Sequence, residues 1–132
     1  MRMSGTRRSR ALFSASFLTL GSATVRAAPD PRHGYEVVVR QTSTCVLCHA
    51  GPFPNAHLQG NVGPDLHGVG ARLSAGEIRA RLVNAAALNP ETVMPPFGEV
   101  GPRVREGMAW RGKPILSPDE IEDAVAYLAG LK

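Results

Sequence analysis

The clearest periodic pattern lies near the carboxyl end of the sequence, where Ile121, Ala124, Val125 and Leu128 recur at helical spacing. They follow Ser117-Pro118-Asp119-Glu120, in which a hydroxyl N-cap, a first-position proline and an acidic first turn mark a helix start. This pattern predicts a helix from 118 to about 129. A second start is written at Ser74-Ala75-Gly76-Glu77, whose serine and glutamate have capping-box spacing. Behind it Ile78, Leu82 and Val83 share one face, Arg79 and Arg81 lie elsewhere, and the helix is predicted to end near Leu88-Asn89-Pro90. Asp30-Pro31 offers another cap and first-turn proline, and the apolar run within 35–40 suits a short packed helix that stops before Cys45.

Between these helices, residues 50–70 and 89–114 are rich in Gly and Pro and carry no apolar periodicity. Loops of that length in a compact domain are normally functional or disordered. Aromatic residues make up only 5% of the 132, so a few short helices have little bulk to bury at a size where cores are already marginal. The expectation is an all-α domain, three to four short helices and long loops, wrapped around a large apolar cofactor.

The amino-terminal pattern is of another kind. Arg2, Arg7, Arg8 and Arg10 precede an apolar stretch, 11–25, interrupted only by small residues, and Arg26 comes directly after it. A basic region, a short apolar region and small residues around a cut are the marks of a secretory leader. Val25-Arg26-Ala27 suits a cut after Ala27, dividing the chain into a cleaved leader at 1–27 and one domain at 28–132. A membrane anchor is the alternative, but the stretch is shorter than the roughly 20 residues a spanning helix needs and is rich in Ser and Thr. Arg7-Arg8 can also be read as a twin-arginine signal, although the residues after Ser9 match that signal poorly. Either route ends outside the cytoplasm, so the expected location is periplasmic, with no membrane span in the mature chain.

That division changes what the charge means. The whole chain has a net charge of +4, but five of its fifteen basic residues precede Pro29, leaving ten against eleven acidic residues and a net of −1 from Ala28 onward. A nucleic-acid partner loses its only support.

Candidate chemistry centres on Cys45-Val46-Leu47-Cys48-His49, the attachment sequence of a c-type haem. Two thiols three positions apart reach the two vinyl groups of one porphyrin, and the adjacent histidine then lies under the iron. A thioredoxin-like dithiol would need alternating strands and helices, and no strand pattern flanks Cys45. Zinc would need four ligands, and His57 and His67 lack finger spacing. A plain disulfide would close a tiny loop and leave His49 and the sparse core unexplained. With both sulfurs held as thioethers the chain has no other cysteine, so nucleophilic thiol chemistry is excluded and activity passes through the iron.

The proximal ligand His49 needs its other ring nitrogen held by an acceptor, and a carbonyl of Gly63-Pro64-Asp65-Leu66 is the natural candidate. For the sixth ligand the chain offers Met94, Met108, His33, His57 and His67. Met94 stands in Asn89-Pro90-Glu91-Thr92-Val93-Met94-Pro95-Pro96, whose prolines fix φ and withhold backbone donors, so the loop is stiff enough to hold a thioether against a metal. A methionine merely packed on the haem face is the other reading. His/Met ligation leaves no open coordination position and favours one-electron transfer over oxygen or peroxide chemistry.

Beyond the haem motif, Gly60-Asn61-Val62-Gly63-Pro64-Asp65-Leu66 and Gly68-Val69-Gly70-Ala71-Arg72-Leu73 resemble the SoxX family. So do Asn89-Pro90 leading to Met94-Pro95, Arg111-Gly112-Lys113-Pro114-Ile115-Leu116, and the final helix from Ile121 to Leu128. The resemblance spans roughly 33–132, though residues 97–110, acidic and basic by turns and ending in Trp110, depart from the family pattern. It implies a class I cytochrome c-like fold and one covalently attached haem c, with Cys45 and Cys48 as attachment residues and His49 and Met94 as axial ligands. It also implies a heterodimer with a haem-bearing SoxA subunit, which holds the bond-making cysteine. That complex, an L-cysteine S-thiosulfotransferase, joins thiosulfate oxidatively to a cysteine of the carrier SoxYZ; this chain, its non-catalytic redox subunit, would pass the electrons to a downstream acceptor. The alternative from a different class is a freely diffusing periplasmic electron carrier.

Overall fold

The computed structural model describes residues 26–40, 43, 45–101 and 107–132, so most of the expected leader lies outside the described residues. Among the described residues five α-helices succeed one another: α1 (Pro31–Val39), α2 (Cys45–Cys48), α3 (Val69–Arg72), α4 (Ala75–Asn84) and α5 (Pro118–Gly130). Three short 3-10 turns, Ala56–Leu58, Ala85–Ala87 and Met108–Trp110, punctuate the loops, and no strand occurs among the described residues. The three helices expected from periodicity are α1, α4 and α5. The other two are single turns, too short for periodicity to register.

The start of each longer helix is fixed by local bonds. The Asp30 carboxylate accepts the backbone N–H of Arg32, which satisfies one of the orphan donors at the start of α1. Ser74 and Glu77 form a reciprocal capping box on α4, as Ser117 and Glu120 do on α5. At the other end of α1, the Ser43 hydroxyl donates to the carbonyls of Val37 and Arg40, which accounts for a serine with no solvent exposure at all.

The α4 pattern is expected to run to about Leu88, but the α-helix stops at Asn84. Asn84 takes φ −157° and ψ 91°, and its side-chain oxygen accepts the Ala87 N–H, capping a new 3-10 turn. An asparagine amide competing with the backbone for local bonds is what breaks the α register there.

Helix α5 is the spine of the domain. Gly34 lets α1 cross it at close range: a Cβ at that position would lie 1.9 Å from the Asp123 carbonyl oxygen, so any other residue would force the helices apart. Around the crossing, Tyr35 and Tyr127 meet edge to face with ring centroids 5.5 Å apart, and Arg40 pairs with Glu120 at 2.7 Å. Arg79 of α4 grips Glu122 through two nitrogens, at 2.7 and 2.5 Å, which sets the α4–α5 orientation. The α3 turn is tied to the end of α5, where Gly70 N–H donates to Leu131 at 2.8 Å and Lys132 Nζ donates to the Gly70 carbonyl at 2.6 Å.

Val37 and Val38 of α1, Ile78 and Leu82 of α4 and Ile121, Val125 and Leu128 of α5 form the buried cluster, joined by the loop residues Phe53, Phe97 and Leu116. Each such aliphatic side chain contributes about 1.5–3 kcal/mol by leaving water. The cluster forms one side of a large cavity that the helices alone do not fill.

Candidate haem site

The attachment motif opens with the single turn α2, closed by the His49 N–H donating to Cys45 at 2.9 Å. The next loop is fastened to it by three further backbone bonds. Gly60 donates to Val46 at 2.9 Å, Gly63 to Cys48 at 2.7 Å and Leu66 to Ala50 at 2.8 Å. Gln59 closes the intervening 51–59 segment, accepting from Gly51 N–H and donating to the Phe53 carbonyl, each at 2.8 Å.

These bonds carry Pro64 to His49. The carbonyl expected in the 63–66 loop is that of Pro64, which accepts from His49 Nδ1 at 2.7 Å. A proton on Nδ1 leaves the Nε2 lone pair free for a metal and fixes the ring's orientation. Gly63 makes room for that ring, since a Cβ there would lie 2.3 Å from His49 Cε1. Both cysteines are half-buried free thiols, and burial pushes the Cys45 thiol above its usual range, as expected of an inert sulfur rather than a reactive thiolate.

Met94 arrives from a different direction. Its loop leaves α4 through turns at Asn89 and Thr92, whose side-chain oxygens accept the N–H groups of Glu91 and Met94. It is then sewn back to the helix by Phe97 donating to Leu82 at 3.0 Å and Gly98 donating to Val83 at 3.2 Å, while Leu116 donates to Phe97 at 2.9 Å. The Asn89 and Thr92 turns before Met94, and the prolines and helix bonds after it, anchor this part of the loop on both sides.

Cys45, Cys48, His49 and Met94 all line one cavity of roughly 680 Å3, whose apolar wall includes Val38, Leu66, Leu73, Ile78, Leu82, Phe97 and Leu128. That volume lies in the roughly 300–1,000 Å3 range of pockets that enclose a cofactor-sized ligand. The other candidate ligands are elsewhere. Met108 is 78% exposed on its 3-10 turn, His57 is exposed, His67 bonds Asp65 at 2.7 Å, and His33 bonds Asp123 at 2.7 Å on the α1–α5 face. Among the described residues no three His, Cys, Asp or Glu side chains gather as a zinc site would require. Two thiols, an imidazole with its Nε2 free and a thioether, set in apolar walls, fit a c-type haem.

Two wall residues had no site role in the sequence: Arg81, expected away from the face of Ile78 and Leu82, lines the cavity beside them, and Arg72 stood there only as part of the family-like stretch. Arg81 stands three positions after Ile78 and so shares its face, a spacing that could have placed it at the cavity edge. Arg72 belongs to α3, where one helical turn offers no periodic signal.

The helices crossing at α5, the loops between them and the cavity they enclose define a class I cytochrome c-like protein. The crystal structure of SoxXA from P. pantotrophus is similar over 80% of this chain and 84% of the matched chain, at 34% identity and a TM-score of 0.71. The chain belongs to the SoxX family. No protein-family model matches it, and no curated protein does.

Proposed function

We propose that this chain is the electron-accepting cytochrome subunit of a SoxAX-type complex, exported to the periplasm and carrying one haem c bound through Cys45 and Cys48. The observation that carries the reading is the apolar cavity that gathers both thiols, the oriented imidazole of His49 and the thioether of Met94. Family membership supports the partner, a haem-bearing SoxA subunit. A haem c held by Cys45, Cys48, His49 and Met94 would supply reversible one-electron chemistry here.

The chain's own residues set the conditions for that chemistry. His49, its Nδ1 proton donated to the Pro64 carbonyl, would present Nε2 to the iron, and Met94 would offer a thioether that favours the reduced state. The apolar wall from Val38 to Leu128 keeps water from the site.

Joining thiosulfate to a carrier thiol forms one sulfur–sulfur bond and releases one proton and two electrons. One haem accepts a single electron, so the coupling requires a second redox centre or two successive transfers, which is the chemical reason for a haem-bearing partner. No thiol of this chain remains to take part in the bond, and the electrons leave for a downstream acceptor.

The test mixes reduced SoxYZ, thiosulfate and the oxidised complex, with and without this chain, and monitors haem reduction optically. The reading requires thiosulfate-dependent reduction of this subunit only in the complete mixture. Rapid reduction of this chain by thiosulfate alone, or full turnover without it, overturns the division of labour.

A further inference from the structure

The segment that presents the Pro64 carbonyl to His49 is itself held by one side chain. Arg72, at the end of α3, donates Nη1 to the His67 carbonyl and Nη2 to the Asp65 carbonyl, at 2.5 and 2.6 Å. The peptide unit between Asp65 and Leu66 is therefore pinned at both ends, because its N–H donates to the Ala50 carbonyl at 2.8 Å while its C=O accepts from Arg72. The Pro64 ring fixes φ on the near side, and the Asp65 carboxylate accepts the His67 N–H at 2.7 Å on the far side. Little freedom is left for the carbonyl between them to turn away from the imidazole.

Arg72 is anchored in turn. Its helix is bound to the carboxyl end of the domain by the Gly70–Leu131 and Lys132–Gly70 bonds. Hydrogen bonds and the short backbone stretches between them link the end of α5 through Gly70 and the Arg72 fork to the Asp65 carbonyl, one peptide unit from the Pro64 carbonyl that holds His49.

We propose that Arg72 is a positioning residue for the His49 imidazole, acting through the backbone carbonyls of the 64–67 loop rather than by touching the ring. This rests on the haem reading above, since the ring's orientation matters only to a metal. The fork is the essential feature: a guanidinium presents two N–H groups in fixed planar geometry to two carbonyls, which a lysine ammonium cannot reproduce although it keeps the charge.

The experiment uses the haem-loaded protein in its reduced, diamagnetic state and measures by NMR how fast the His49 Nδ1 proton exchanges with deuterated solvent. Arg72→Lys should accelerate that exchange on the order of tenfold, because the proton leaves only when the loop opens. Its reduction potential should rise, since a looser Nδ1–H···O bond makes the imidazole a weaker donor. Arg81→Lys is the control, because Arg81 lines the same cavity but bonds the Glu77 carbonyl of its own helix at 3.0 Å. Arg72→Leu removes fork and charge together; should it fail to retain haem, Arg72→Lys decides. Unchanged exchange and potential in Arg72→Lys overturn the clamp, as does equal acceleration in Arg81→Lys. Wild-type protein that takes up no haem at all overturns the haem reading instead, and the clamp with it.

Discussion

Replacing Gly34 with alanine adds one methyl group at the closest approach of α1 to α5. A Cβ there would lie 1.9 Å from the Asp123 carbonyl oxygen and 2.9 Å from Tyr127 Cβ. The nearest atom is backbone, so no rotamer change relieves the clash. Real Cβ atoms essentially never come closer than 3.0 Å, so the helices must part by the difference, about 1.1 Å. A gap of that order removes a quarter to a half of the dispersion attraction across the interface, which includes Val37, Val38, Ala124 and Val125.

Overpacking of this kind costs about 3 kcal/mol at the upper end of its usual range. Alanine's better helix propensity returns about 1 kcal/mol. The net loss of about 2 kcal/mol corresponds to a fall of roughly 10 °C in Tm for a domain of this size. Thermal unfolding monitored by circular dichroism on haem-loaded protein measures it. Gly76→Ala is the internal standard, because a Cβ on Gly76 meets nothing nearer than Ser74 Oγ at 3.9 Å and should leave Tm equal or slightly higher. A Gly34→Ala protein as stable as wild type, or a Gly76→Ala protein that loses as much, would refute the close-crossing argument.

Met94→Ala should abolish the weak sulfur-to-iron band at the red end of the ferric spectrum and lower the reduction potential, whereas Met108→Ala, altering a 78% exposed side chain, should do neither; the reverse pattern ends the assignment. Cys45 and Cys48 should each form a thioether, so haem that extracts fully into acidified organic solvent contradicts the attachment. The His33 imidazole is raised above its usual range chiefly by its hydrogen bond to Asp123, with burial opposing and attraction to Asp123, Glu36 and Glu120 adding to it. A raised folded-state value gives stabilisation that is complete below the unfolded value of 6.5 and fades as pH rises through the folded one. Between about pH 6 and 9, wild type should therefore lose more Tm than His33→Gln, and parallel curves would show that the pair contributes nothing.

The three long helices were legible because their starting signals are local. A serine and a glutamate three positions apart satisfy each other's backbone donors without help from the rest of the chain, so Ser74 and Ser117 mark α4 and α5 wherever the domain folds. The cysteine pair with its adjacent histidine is equally local, which is why five residues suffice to propose haem attachment. The end of α4 was less legible, since the apolar pattern runs past Asn84 and only the bond between its amide and the Ala87 N–H reveals the break.

Other features exist only once distant segments meet. From the residues alone, a carbonyl of the 63–66 loop was the natural partner for His49, and proline stiffness ranked Met94 above Met108. That Pro64 supplies the carbonyl, and that Met94 rather than Met108 lines the cavity, emerges only in the folded chain, because both depend on how the loops are sewn to α2 and α4. The family-like stretch contains Arg72 but gave it no role, for the same reason. Its partners are main-chain carbonyls, identical in every residue, and which carbonyls a guanidinium reaches is set by the path of the backbone rather than by side-chain identity.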